Sequence, residues 1–138
     1  MATATYVKKA RKDDSNYNIK RGDSYWWWQF PFLPRMKSKK KPDRAQLTQS
    51  MFMKSVYKLE DREITSESDV IKIVRDIQNL KADLKSKLNN MPESLRRGTI
   101  GILIQERYER LEDWEVALKY IEWDNEYTAL IEVNKIKY

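Results

Sequence analysis

The 138-residue chain has no cysteine and no histidine. Disulfides, Cys/His zinc sites, cysteine nucleophiles and histidine-based triads are therefore excluded. A cysteine-free composition fits a reducing compartment. Only 3 glycines are present, which argues against a loop-rich sandwich or barrel. No Gly-rich phosphate loop of the P-loop or dinucleotide type occurs. No run approaches the ~20 apolar residues that span a bilayer. The first six residues, Met1 to Tyr6, lack the basic-then-apolar order of a signal peptide. These absences lead to the expectation of a soluble, cytoplasmic, non-enzymatic protein with no cofactor, no metal ion and no membrane partner.

What is present is charge and aromatic area. Charged residues make up 35% of the chain, with 27 Lys/Arg against 21 Asp/Glu and a net charge of +6. The charge is unevenly placed. Residues 1–54 hold 13 Lys/Arg against 4 Asp/Glu, a net of +9, and residues 55–138 hold 14 against 17, a net of −3. Such asymmetry points to a polyanionic partner for the first half.

The aromatic area is concentrated in Tyr25-Trp26-Trp27-Trp28-Gln29-Phe30. Each such ring can bury about 150–250 Å². In a strand, Tyr25 and Trp27 face one way, and Trp26, Trp28 and Phe30 the other. One face can fill a core, which the reading assigns to Trp27, and the other then needs a partner.

The fold expected is α+β: a small antiparallel sheet within residues 3–40, then three helices that include a long antiparallel helical hairpin. A basic aromatic β module over 1–44 precedes a helical part over 45–138, the two forming one compact unit. Thr3 to Val7 favour a first strand. Arg21-Gly22-Asp23, which matches the integrin-recognition tripeptide, reads as an ordinary turn before the aromatic strand. Pro31 and Pro34 end that strand, and a basic arm follows from Arg35 to Arg44. Asp43 and Gln46 have capping-box spacing, with Thr48 or Ser50 as other caps for a first helix that ends near 63. Val70, Ile73, Ile77, Leu80 and Leu84 are spaced 3, 4, 3, 4 in a second helix, which is coiled-coil seam spacing. A third can begin near Pro92-Glu93-Ser94, with Gly98 and Gly101 weakening its first turns, and Ile104, Leu111, Trp114, Leu118 and Ile121 mark it over about 102–124. The two stripes suit mutual packing or a homodimer. Residues 127–138 fit either a helix or a strand.

A reaction is hard to build from these residues. A metal nuclease needs only carboxylates and a cation, for which Asp13 and Asp14 with Lys12, or Glu106 and Glu109 with Arg107 and Arg110, have suitable types. Paired carboxylates at such spacing are ordinarily solvated. The basic aromatic half fits a binding function better, because Lys and Arg meet phosphates while aromatic faces stack unpaired bases. The expected nucleic-acid contacts are Lys20, Arg21, Arg35, Lys37, Lys39, Lys40 and Lys41 for phosphates, with Trp26 and Trp28 for stacking. The alternative is a protein-directed factor that uses the aromatic surface and the hairpin, with Trp123 and Tyr127 at its interface.

Ile19-Lys20-Arg21-Gly22-Asp23-Ser24-Tyr25-Trp26-Trp27-Trp28, then Ser38-Lys39 and Gln46-Leu47-Thr48-Gln49-Ser50, resembles a group of small tailed-bacteriophage proteins. The resemblance covers residues 5–65. It implies a phage origin and a host-cytoplasm or virion setting, with a host or phage protein as a further possible partner, and brings no activity with it. Phe32-Leu33-Pro34 stands where that group carries a Gly-rich turn, and Ala45 where it carries a serine.

Overall fold

The computed structural model describes residues 1–138. Three short strands, β1 (Thr5–Val7), β2 (Tyr25–Trp28) and β3 (Met36–Ser38), precede five helices. These are α1 (Met51–Glu60), α2 (Glu67–Asn89), α3 (Glu93–Arg96), α4 (Thr99–Lys119) and α5 (Glu126–Lys135). The fold class is α+β, as expected. No helix is long and apolar enough to cross a membrane.

The chain divides into two compact units, Met1–Lys58 and Leu59–Tyr138. Their boundary falls in the last turn of α1, later than the 44/45 boundary read from composition. The reason is that the stretch after residue 42 belongs with the sheet: the Ala2 amide donates to the Leu47 carbonyl at 2.7 Å, and Pro42, Ala45 and Thr48 are buried. With 14 Lys/Arg and 4 Asp/Glu the first unit carries +10, and with 13 and 17 the second carries −4.

In the first unit the sheet runs β1-β2-β3, antiparallel throughout. The aromatic strand is central. Its register pairs Tyr25 with Val7, Trp26 with Tyr6 and Ser38, Trp27 with Thr5 and Lys37, and Trp28 with Met36. Between β1 and β2 the chain makes an excursion that closes on itself. Ala10 and Asp23 are joined by a 2.7 Å backbone bond, and Asp14 and Ile19 exchange bonds of 2.7 and 3.0 Å. Ala10 and Ile19 anchor it in the interior.

Arg21-Gly22-Asp23 is the turn expected there. Gly22 has φ 92°, where a side chain would be strained. The Asp23 carboxylate accepts from the Lys20 amide at 2.9 Å. Asp43 and Gln46 do form a reciprocal pair, each amide reaching the other's side chain at 3.0 Å. They close a turn, however, and the cap of α1 is Ser50, whose Oγ accepts from the Met53 amide at 3.2 Å.

In the second unit α2 and α4 form the antiparallel hairpin. Val70, Ile73, Val74, Ile77 and Leu84 of α2 and Leu111, Trp114 and Leu118 of α4 are buried. The third helix expected from near Pro92 to about 124 is split: residues 93–96 form the separate α3, and α4 runs from Thr99 to Lys119. A Cβ at Gly101 would fall on the Arg96 carbonyl, so this glycine is what lets α3 lie against α4. Residues 126–135 are helical rather than a strand, capped by Asn125, whose Oδ1 accepts from the Thr128 amide at 3.1 Å. The tail after α5 returns to α4: Arg110 lies 4.0 Å from the Tyr138 ring, and Trp114 meets that ring edge-on. Burial pushes the Tyr138 hydroxyl above its ordinary pKa.

Candidate nucleic-acid interface

Strand alternation gives the sheet two faces, and the structure reverses their expected roles. Trp28 is only 3% exposed. It belongs to the core of the first unit and has no face to offer a base, so its assignment as a stacking residue is corrected. Trp27, expected in the core, is half-buried instead and lines a concave site of about 430 Å³. The physical reason is local. The buried residues between 42 and 48 give the first unit an interior, and a three-stranded sheet has only one face to fill it.

The open site is lined by Tyr25, Trp27, Val7, Ala10 and Ile19, with Lys9, Arg11, Lys12, Arg35 and Lys37 as its cations. Its two carboxylates, Asp13 and Asp14, are already engaged. Asp13 accepts from the Arg21 amide at 2.7 Å, and Asp14 from Lys37 Nζ at 2.7 Å and the Asn16 amide at 3.2 Å. The Lys37 bond holds the Asp14 carboxyl below its ordinary value, and Asp14 in turn raises Lys37. Five cations therefore face two committed anions, and the surplus is positive. The rings are dressed with those cations: the Arg35 guanidinium lies 4.0 Å from the Trp27 ring and Lys37 Nζ 5.7 Å from the Tyr25 ring. A guanidinium parked on an indole extends the stacking surface by one planar layer.

The other expected contacts are dispersed. Because β3 folds back along β2, the basic arm runs beside the aromatic strand rather than beyond its far end. Lys39 reaches the Asp23 carboxylate at 3.4 Å and is committed there, so Asp23 titrates below its ordinary value, chiefly through the Lys20 amide. Lys41 lies 5.7 Å from the Trp26 ring, whose centroid is 5.0 Å from that of Tyr6. That cluster belongs to the opposite face from Trp27. Lys20, Arg21 and Lys40 are exposed and outside the concave site. Sequence reasoning missed Lys9, Arg11 and Lys12. The signal was the cation run Lys8-Lys9-Ala10-Arg11-Lys12, in which the one apolar residue is the buried anchor.

In the second unit Trp123 is half-buried and edges a groove of about 460 Å³ with Val70, Ile71 and Leu118. Tyr127 is exposed and outside that groove. Between the helices a buried carboxylate, Glu115, sits 3.5 Å from Lys81 and 3.7 Å from Lys119. No group of three or more acidic residues converges as a metal site would require. No family model matches the chain, and comparison with curated proteins and with solved structures finds no match.

Proposed function

We propose that this is a non-enzymatic nucleic-acid-binding protein, phage-encoded and active in the host cytoplasm or in the virion. Its basic unit holds a strand through phosphate contacts and stacking. The observation that carries the reading is the convergence of Arg35 on Trp27 with Lys9, Arg11, Lys12 and Lys37 around one concave site. Cations in excess of anions supply the phosphate contacts. The Trp27–Arg35 layer supplies a flat surface that accepts any base. Arg35 and Lys37 carry over from the residues expected on sequence grounds, and Trp27 takes the role given to Trp28. Lys20, Arg21, Lys39 and Lys40 serve as secondary phosphate contacts outside the concave site, and Lys41 with Trp26 forms a separate surface on the opposite face. The resemblance to small phage proteins supports the setting and is silent on the activity.

The test is anisotropy of a labelled oligonucleotide at rising salt. Binding at low salt should fall steeply with salt concentration. Arg35→Ala should weaken it by more than about fivefold, since it removes a phosphate contact and a stacking layer together. Absence of binding at low salt would overturn the proposal.

A protein-directed role has its own support in the second unit. Trp123 beside exposed Ile71, and the exposed Tyr127, Ile100, Ile102 and Leu103, are apolar residues of the kind that anchor protein interfaces or a homodimer. Salt separates the readings, because an apolar interface changes little over the same range.

A further inference from the structure

The loop that joins β2 to β3 carries Phe32, whose side chain is fully exposed at 106% of its reference area. Its backbone φ is 64°, in the left-handed region. Bulky side chains rarely occupy that region unless the surroundings impose it. The imposing contacts are evident. Pro31 and Pro34 fix their own backbone angles on either side. The Leu33 amide donates to the Phe30 carbonyl at 3.2 Å, and Gln29 Nε2 donates to the Leu33 carbonyl at 2.9 Å. The loop is braced, and what it presents to solvent is one aromatic ring beside the exposed Leu33. A braced loop loses little backbone freedom when the ring it carries meets a ligand.

We propose that Phe32 is a stacking finger for single-stranded nucleic acid. It takes a base two or three nucleotides from the one that lies on the Arg35–Trp27 layer. The proposal rests on the reading of the Trp27 face as a nucleic-acid site. Phe32 and Arg35 are three residues apart, so their Cα atoms are at most ~11 Å apart. A stacked strand advances about 3.4 Å per nucleotide, so that upper bound admits a separation of up to about three steps. Arg35, which follows Pro34 directly, and the net charge of +10 on this unit select a polyanion as occupant over a neutral apolar pocket of a protein. A single strand is selected over a duplex because its bases have unoccupied π faces, whereas a ring can enter a duplex only by unstacking it.

The experiment compares the wild-type chain with Phe32→Ala, Phe32→Gly and Phe32→Trp. Glycine removes the ring while accepting the positive φ, so agreement between Ala and Gly assigns the effect to the ring. Competition binding is measured with a thymidine dinucleotide and a thymidine dodecamer, with Arg35→Ala alongside and circular dichroism to check folding. Loss of the ring should weaken the dodecamer between about fivefold and one-hundredfold. It should leave the dinucleotide unchanged, and Phe32→Trp should retain full affinity. Arg35→Ala should weaken both ligands. If the dodecamer is indifferent to Phe32 while Arg35→Ala still weakens it, the finger is overturned and the sheet site stands. If the wild type binds neither oligonucleotide, both proposals fail together. If ring loss abolishes binding to anionic phospholipid vesicles and leaves the dodecamer untouched, the tip is a lipid anchor and the proposal is wrong.

Discussion

The two units of this chain treat the tryptophans on their regular elements in opposite ways, while Trp123 of the acidic unit lies half-buried between helices α4 and α5. In the acidic unit Trp114 is buried in the α2–α4 core and met by Tyr138. In the basic unit only Trp28 of three consecutive tryptophans is buried, and its neighbours are left half-exposed with cations on or beside their rings. A three-stranded sheet has one face for a core, so an aromatic strand through its middle must show rings on the other. A helix has no such obligation, because its stripe repeats on one side. A surplus of aromatic area on a strand is therefore a stronger pointer to binding than the same residues on a helix.

The sharpest way to break that comparison is to remove the buried ring. Trp28→Ala should cost the basic unit about 3–5 kcal/mol, while Trp27→Ala should cost about 1–2 kcal/mol because its ring, on the other face, is only half-buried. Urea unfolding followed by far-ultraviolet dichroism measures both. Equal losses would mean that the two faces are equivalent. In the acidic unit, Glu115→Ala should cost about 1–3 kcal/mol, since it leaves Lys81 and Lys119 without their shared carboxylate at a site where Glu115 is only 6% exposed. Glu115→Gln should recover part of this by retaining a hydrogen-bond acceptor. Gly101→Ala should cost about 1–2 kcal/mol in the same assay by driving the Arg96 carbonyl away from α4.

The smallest effect is electrostatic and ties stability to binding. The Asp14 carboxyl is depressed, so its contribution is present above the ordinary carboxylate value of 3.8 and is lost as pH falls through the folded value. Lys37 is raised, so its contribution is present below 10.5 and is lost as pH rises through its folded value. Asp14→Asn should flatten the stability profile at both ends. It should also tighten oligonucleotide binding by a few-fold at low salt, because one anion leaves the site. Weaker binding by Asp14→Asn would show that Lys37 must be held by its partner in order to act.

Much of the scaffold was legible in the sequence. The 3, 4, 3, 4 spacing from Val70 to Leu84 announced a helix with one buried stripe, and the second stripe from Ile104 to Ile121 announced its antiparallel partner. The alternation in the aromatic strand announced two faces. It did not say which face was buried, because Trp26, Trp27 and Trp28 are chemically the same and carry no polar marker. The choice depends on segment 42–48, whose placement beside the N-terminus is a long-range contact. Leu130 to Val133 satisfies either period, and the Asn125 cap decided for a helix. Glu115 was invisible as a core residue because its partner Lys81 lies in another helix.

The opposite orientation of Trp26 and Trp27 has a spectroscopic consequence. Two adjacent indoles look out from different sides of one strand, each beside its own cation, while Trp28 is shielded from water. Intrinsic emission from this strand therefore carries a directional label. With Trp114 and Trp123 replaced by phenylalanine, a ligand on the concave side should dim the Trp27 component and leave the Trp26 component bright. A ligand on the Tyr6 side should do the reverse, and the blue-shifted light from Trp28 provides an internal reference that neither ligand touches.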